Sequence, residues 1–205
     1  MKKINVGILI FNDVEILDFA GPYEVFSRTR TTKGAESRRN DGTAPFLPFT
    51  VAMEEKPIIA TGGLKVIPDY TFENVPKINI LVVPGGYGTR TLLNNEYLLS
   101  WIKSISDKSA TITSVCSGSL LLGKAGLLEG KRATTHWGAI EALKSISKSI
   151  KVMSDRRIID DEIITSAGVS SGIDMAFMIV EKHFGNEVAS DTAKYIEFHR
   201  SKTNV

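Results

Sequence analysis

The chain has 205 residues, 42% hydrophobic and 23% charged, and its 25 basic against 23 acidic residues leave a formal charge of only +2. That size supports one compact domain, residues 1–205, with a sizeable core. The balanced charge gives no bulk electrostatic pull towards nucleic acid or a membrane surface, and no apolar run approaches the ~20 residues that a bilayer span needs. The single cysteine, Cys116, excludes an internal disulfide and points to a cytoplasmic setting. None of the three histidines, His136, His183 and His199, has metal-ligand spacing with it, so no zinc or other metal site is expected.

In chain order, "INVGILIF" (4–11) is a continuous apolar run, the pattern of a strand buried on both faces. The two lysines before it resemble a signal-peptide start, but Asn12, Asp13 and Glu15 interrupt the apolar stretch and no small-residue cleavage site follows. "GPYEVFSRT" (21–29) predicts a helix with Pro22 in its first turn. The polar stretch 28–48, with its cluster of basic residues, predicts a mobile, charged loop or an insertion.

"FTVAM" (49–53) is a second strand, 62–76 a short hairpin and connector, and "INILVVPGG" (78–86) a third buried strand ending in a glycine turn. A helix follows over 95–106, a strand over 109–116, and a leucine-rich helix after it. Beyond 131 the alternation continues, with a hairpin turning at Asp160-Asp161 and helices over 172–185 and 186–200. Such alternation predicts an α/β sandwich with a mostly parallel central sheet.

Three stretches carry chemistry. In "SVCSGS" a cysteine stands where a strand becomes a helix, with Ser114 two residues before it and Gly118 two after. This is the nucleophile-elbow pattern, which lifts a reactive side chain above the carboxyl end of the sheet. The following helix N-terminus is expected to stabilise the thiolate and lower the pKa of Cys116 below ~8.5. The alternative is a small buried core residue.

In "VVPGGYGT" (82–89) the backbone N–H of Gly86, with that of Ser117, is a candidate oxyanion hole; taken alone, the glycines are more simply explained by a tight βα turn. In "EILDFAGP", Asp18 sits among apolar residues, where burial and a neighbouring thiolate would raise its pKa and make it a proton carrier. Glu15 is the competing acid. His136 in "TTHW" is an accessory candidate or a structural histidine, and Trp137 a packing or pocket-wall residue.

Together the "LDFAGP", "VVPGG", "SVCSGSLLLGKAGLL" and "GKRATTHW" stretches, in that order over about residues 4–190, resemble the ThiJ/PfpI family of the class I glutamine amidotransferase-like superfamily. The resemblance implies a flavodoxin-like three-layer sandwich, usually a homodimer. It makes Cys116 the nucleophile and Asp18 the acid hydrogen-bonded to it, with Gly86 and Ser117 lining the site. The stretches are most similar to those of isocyanide-hydrating members. This implies a cofactor-free lyase (hydro-lyase) acting on a small-molecule electrophile, in which the cysteine attacks the isocyanide carbon and water releases an N-substituted formamide.

Two departures bear on this. Ser117 stands where those members have threonine, which keeps the hydroxyl, and 28–48 is longer than expected at the pocket mouth. The same stretches occur in the sensory domain of AraC-type regulators. A redox-sensing or regulatory protein is therefore the alternative, as is a glyoxalase- or amidase-type enzyme. Only about ten residues follow the last plausible helix, so the 205 residues are not expected to hold the DNA-binding domain of such a regulator.

Overall fold

The computed structural model describes residues 2–108 and 110–200. Ser109, the first residue of the strand expected over 109–116, lies outside them, as do Met1 and residues 201–205 of the expected domain. The apolar runs become the interior strands of a seven-stranded sheet. β1 (Ile4–Leu9) is central and pairs in parallel with β2 (Phe46–Ala52) on one side. β3 (Ile58–Ile59) and β4 (Lys65–Val66) form a separate antiparallel hairpin, and β5 (Tyr70–Thr71) extends the sheet beyond β2.

On the other side of β1 lie β6 (Ile80–Val83), β7 (Thr111–Val115) and, after the small β8 (Arg132–Ala133) and β9 (Lys151–Val152) pair, the antiparallel hairpin of β10 (Ile158–Asp160) and β11 (Ile164–Ser166). The order is β10-β11-β7-β6-β1-β2-β5, parallel except for β10. From the adjacent strands β1 and β6 the chain leaves in opposite directions, to β2 and to β7. The crevice above their carboxyl ends is therefore the topological switch point at which flavodoxin-like sheets bind ligands.

The helices are α1 (Ile16–Arg28), α2 (Thr89–Leu92), α3 (Glu96–Asp107), α4 (Gly118–Lys124), α5 (Ile140–Ile146) and α6 (Ser171–Tyr195). α1 and α6 pack on each other against the sheet, where Phe26, Phe46 and Phe184 form an aromatic cluster with ring centroids 4.9 and 5.4 Å apart. α6 is two helices meeting at Gly185, whose φ of 82° breaks the helical path; this is the expected division at 185–186. Among the described residues no helix is long and apolar enough to cross a membrane, and no group of three potential metal ligands occurs.

Two local expectations are corrected. The first helix starts at Ile16 and not near Gly21, so Pro22 lies inside it. Proline costs an interior helix a hydrogen bond to the residue four before it; here that residue is Asp18, one turn from the helix start. Tertiary burial of Phe19, Val25 and Phe26 against the sheet outweighs that local penalty.

The polar stretch 28–48 holds a 3₁₀ turn (Ala35–Arg39) and the start of β2, and it is organised by two buried arginines. The Arg30 guanidinium is 1% exposed and donates to the carbonyls of Ser27, Thr29, Ser37 and Asn40 and to Asp41 at 2.6 Å. Arg38 reaches Asp191 of α6 at 2.5 Å and stacks over Tyr195. Those basic residues serve the fold, because a buried guanidinium must spend its donors on internal acceptors.

Candidate active site

Cys116 caps β7 with φ +57°, a left-handed conformation that costs a non-glycine residue roughly 1–3 kcal/mol. Its own backbone groups hold it there. Its N–H donates to the Ser166 carbonyl at 3.1 Å, and its carbonyl accepts from the hydroxyls of Thr135 at 3.0 Å and Ser119 at 3.3 Å. Gly118 lets the elbow close: a Cβ there would lie 2.0 Å from the Val83 carbonyl oxygen. The strained turn, fixed from three directions, delivers the sulfur to a cavity of about 370 Å³ above the carboxyl ends of the strands.

Asp18 reaches the same place from the first turn of α1. Its side chain is fully buried, and Oδ2 accepts the Gly85 N–H at 2.9 Å. Oδ1 is buried with no hydrogen-bond partner. Burial is the main cause that raises the Asp18 carboxyl from 3.8 to about 7. The Glu15 charge adds to this, while the Gly85 N–H and the Cys116 thiol pull the other way. The rise expected from burial is therefore present, although the thiol bears on the carboxyl with the opposite sign to that expected of a thiolate.

The expected lowering of the cysteine is overturned. Burial first, and then the Asp18 charge, push the Cys116 thiol from 9.0 up to about 11. The backbone N–H groups of Ser117 and Val169 oppose this without winning. α4 has only seven residues, and a thiol 7% exposed loses more from desolvation than a short helix returns. Between about pH 7 and pH 11 the pair therefore holds its negative charge on Asp18 and its proton on sulfur.

Gly86 and Ser117 line the cavity with Cys116. The Gly86 N–H is not free, however: it donates to the Ser117 hydroxyl at 3.1 Å, which also receives Thr89 Oγ1 at 3.2 Å. The N–H groups directed at the sulfur are those of Ser117 and Val169. Val169 has φ +34° and follows β11; no sequence signal marks it, because only the β7–β11 pairing brings that loop to the elbow.

Glu15 lines the cavity half-buried, its N–H donating to the Gly85 carbonyl at 3.0 Å. His136 also lines it, with Nδ1 accepting the Gly138 N–H at 3.1 Å, so a neutral ring carries its proton on Nε2. Tyr87, Arg90 and Trp137 complete the mouth. His183 and His199 lie away from the cavity, on the exposed side of α6 and beyond it.

Similarity to known proteins agrees with this geometry. A model of the DJ-1/PfpI family matches residues 4–182. The isonitrile hydratase of Pseudomonas putida is 33% identical over 95% of this chain and 78% of its own length. The HTH-type transcriptional regulator GbdR of Pseudomonas aeruginosa is 22% identical over 96% of this chain, which spans 51% of the regulator.

Among solved structures, a THiJ/PfpI family protein from Pseudomonas syringae superposes with a TM-score of 0.84 at 27% identity, over 100% of this chain and 79% of that one. Drosophila melanogaster DJ-1beta superposes with a TM-score of 0.81 at 18% identity over 97% and 100%, a likeness of fold. The sheet order, the cysteine elbow and a match that runs through nearly the whole chain lead to one conclusion: the protein belongs to the DJ-1/PfpI family.

Proposed function

We propose that the protein is a cysteine-dependent hydratase that adds water to an isocyanide. The observation that carries the reading is a fully buried Asp18 that bears directly on Cys116, with Oδ2 on the Gly85 N–H and Oδ1 without a hydrogen-bond partner. A carboxylate near 7 beside a thiol near 11 is a base and a proton-bearing nucleophile, the division of labour that addition across one carbon requires. The likeness to an isonitrile hydratase at 33% identity supports the same reading.

In the first step the Cys116 sulfur bonds to the terminal carbon of R–N≡C. Asp18 takes the thiol proton and returns it to that carbon, leaving the thioimidate R–N=CH–S–Cys116. Water then adds to the same carbon, and one of its protons goes to nitrogen. The C–S bond breaks with transfer of the other proton to sulfur, giving R–NH–CHO and the free thiol. No redox change occurs and no cofactor is consumed. The N–H groups of Ser117 and Val169 steady charge on sulfur as it forms and departs. Ser117 and Gly86 shape the floor, Glu15 adds to the burial that raises the Asp18 carboxyl, and His136 walls the cavity.

The reading includes a homodimer in the cytoplasm. The competing redox-sensing role asks for an accessible, thiolate-rich cysteine. The buried, raised Cys116 favours the enzyme.

The test is steady-state hydration of an aryl isocyanide, read by formamide absorbance. Wild type turns over, Cys116→Ala does not, and Asp18→Asn falls by about 10²–10⁴-fold, the usual worth of a positioned acid–base group. Absence of turnover by folded wild type overturns the reading.

A further inference from the structure

The mouth of the catalytic cavity has a composition that the hydration chemistry does not require. Trp137 is 82% exposed and Tyr87 71%, although large aromatic side chains are normally the most valuable to bury. They come from separate loops, Tyr87 after β6 and Trp137 after β8, and both line the cavity that holds Cys116. The Arg90 guanidinium lies 5.0 Å from the centre of the Tyr87 ring and has no ion-pair partner among the described residues. The other arginines among the described residues do have one: Arg28 pairs with Glu24, Arg30 with Asp41, Arg38 with Asp191, Arg39 with Glu36, Arg132 with Asp161, Arg156 with Asp155, Arg157 with Asp174 and Arg200 with Glu181.

We propose that the site takes an aryl substrate bearing a carboxylate, its ring against Trp137 and Tyr87 and its acid group on Arg90. This rests on the hydratase reading for the reacting end of the molecule. The charged groups differ in burial: Arg90 on the cavity wall is exposed, Glu15 on the same wall is half-buried, and Asp18, behind the wall, is fully buried. An anionic group is repelled by Glu15 and Asp18 and held by Arg90. Only the uncharged isocyanide end is admitted to the sulfur, so the charges orient the substrate as well as bind it. A volume of about 370 Å³ accommodates a substituted ring, and guanidinium recognises carboxylate through a planar pair of donors.

The test has two arms. In the first, unreactive phenylacetate, benzyl alcohol and benzylamine are titrated into the protein by calorimetry, with Arg90→Leu and Trp137→Ala beside wild type. Phenylacetate is expected to bind about tenfold more tightly than benzyl alcohol, with benzylamine no tighter than the alcohol. Arg90→Leu removes the preference for the acid, and Trp137→Ala weakens both acid and alcohol. Equal affinity for acid and alcohol, or a preference that survives Arg90→Leu, overturns the proposal.

In the second arm, kcat/KM is compared for 4-carboxyphenyl and phenyl isocyanide, and a preference of about tenfold for the acid is expected. Equal turnover of the two overturns the proposal and leaves the hydratase reading standing. An acid preference in binding with no turnover of either isocyanide overturns the hydratase reading and leaves the aryl-acid site.

Discussion

Replacing Asp18 with asparagine should stabilise the protein while disabling it, and by an amount that depends on pH. Ionising this carboxyl is harder in the folded protein than in the unfolded chain by the gap between 3.8 and about 7, which at ~1.4 kcal/mol per tenfold is roughly 4 kcal/mol. Below the unfolded value both states are protonated and nothing is lost. As pH rises the unfolded chain releases its proton first, so stability falls until the folded carboxyl ionises near 7, where the full cost is in place.

Asparagine keeps an oxygen for the Gly85 N–H and cannot ionise. Its amide group, like the protonated acid, has no acceptor at the Oδ1 position, so that cost is shared and independent of pH. Urea unfolding of both proteins at about pH 5 and about pH 8.5 should therefore show the variant gaining roughly 2–3 kcal/mol on wild type between the two conditions. A difference that stays constant with pH, or widens in favour of wild type, would refute the assignment of a raised, buried carboxyl at Asp18.

Three further outcomes follow from the same structure. Gly85→Ala places a Cβ 2.5 Å from the Ser117 nitrogen and 2.6 Å from its hydroxyl, and should cost about 1–3 kcal/mol in thermal or denaturant unfolding and at least tenfold in kcat. Iodoacetamide should label Cys116 slowly near neutrality, with a rate that climbs about tenfold per pH unit through pH 9; a plateau below that would mean a low thiol pKa after all. Arg30→Met strips the carbonyls of Ser27, Thr29, Ser37 and Asn40 of their donor. Unfolding should then become easier by about 2–4 kcal/mol, with new limited-proteolysis cuts between residues 31 and 43.

The parts of this molecule that were readable in its sequence are those where local pattern and tertiary demand agree. The apolar runs at 4–11 and 78–86 have no amphipathic alternative and became central strands β1 and β6. Asp160-Asp161 lies where β10 turns back into β11. Cys116 and Asp18 stood out because a lone thiol at a strand end and an acid among apolar residues are locally out of place.

The start of α1 was misread because Pro22 is a strong local signal and its cost is outweighed by burial that only the sheet supplies. The thiol was misread for a similar reason: a helix N-terminus is visible in sequence, whereas the depth of burial is not. Val169 and the engagement of the Gly86 N–H by Ser117 depend on which strands are neighbours and on contacts over 31 residues or more, which spacing does not encode. The arginines of the 28–48 stretch look like solvated charge because sequence cannot show that five protein oxygens surround the buried Arg30 guanidinium.

The central claim is a covalent intermediate on one sulfur. Wild-type protein should be mixed with a slight excess of aryl isocyanide, quenched in acid within the first turnover and measured as intact mass and as peptides. Addition without a leaving group predicts a gain of the whole mass of the isocyanide, confined to the peptide that contains Cys116 and absent from Cys116→Ala, which also makes no formamide. Formamide production by Cys116→Ala at the wild-type rate would contradict the account.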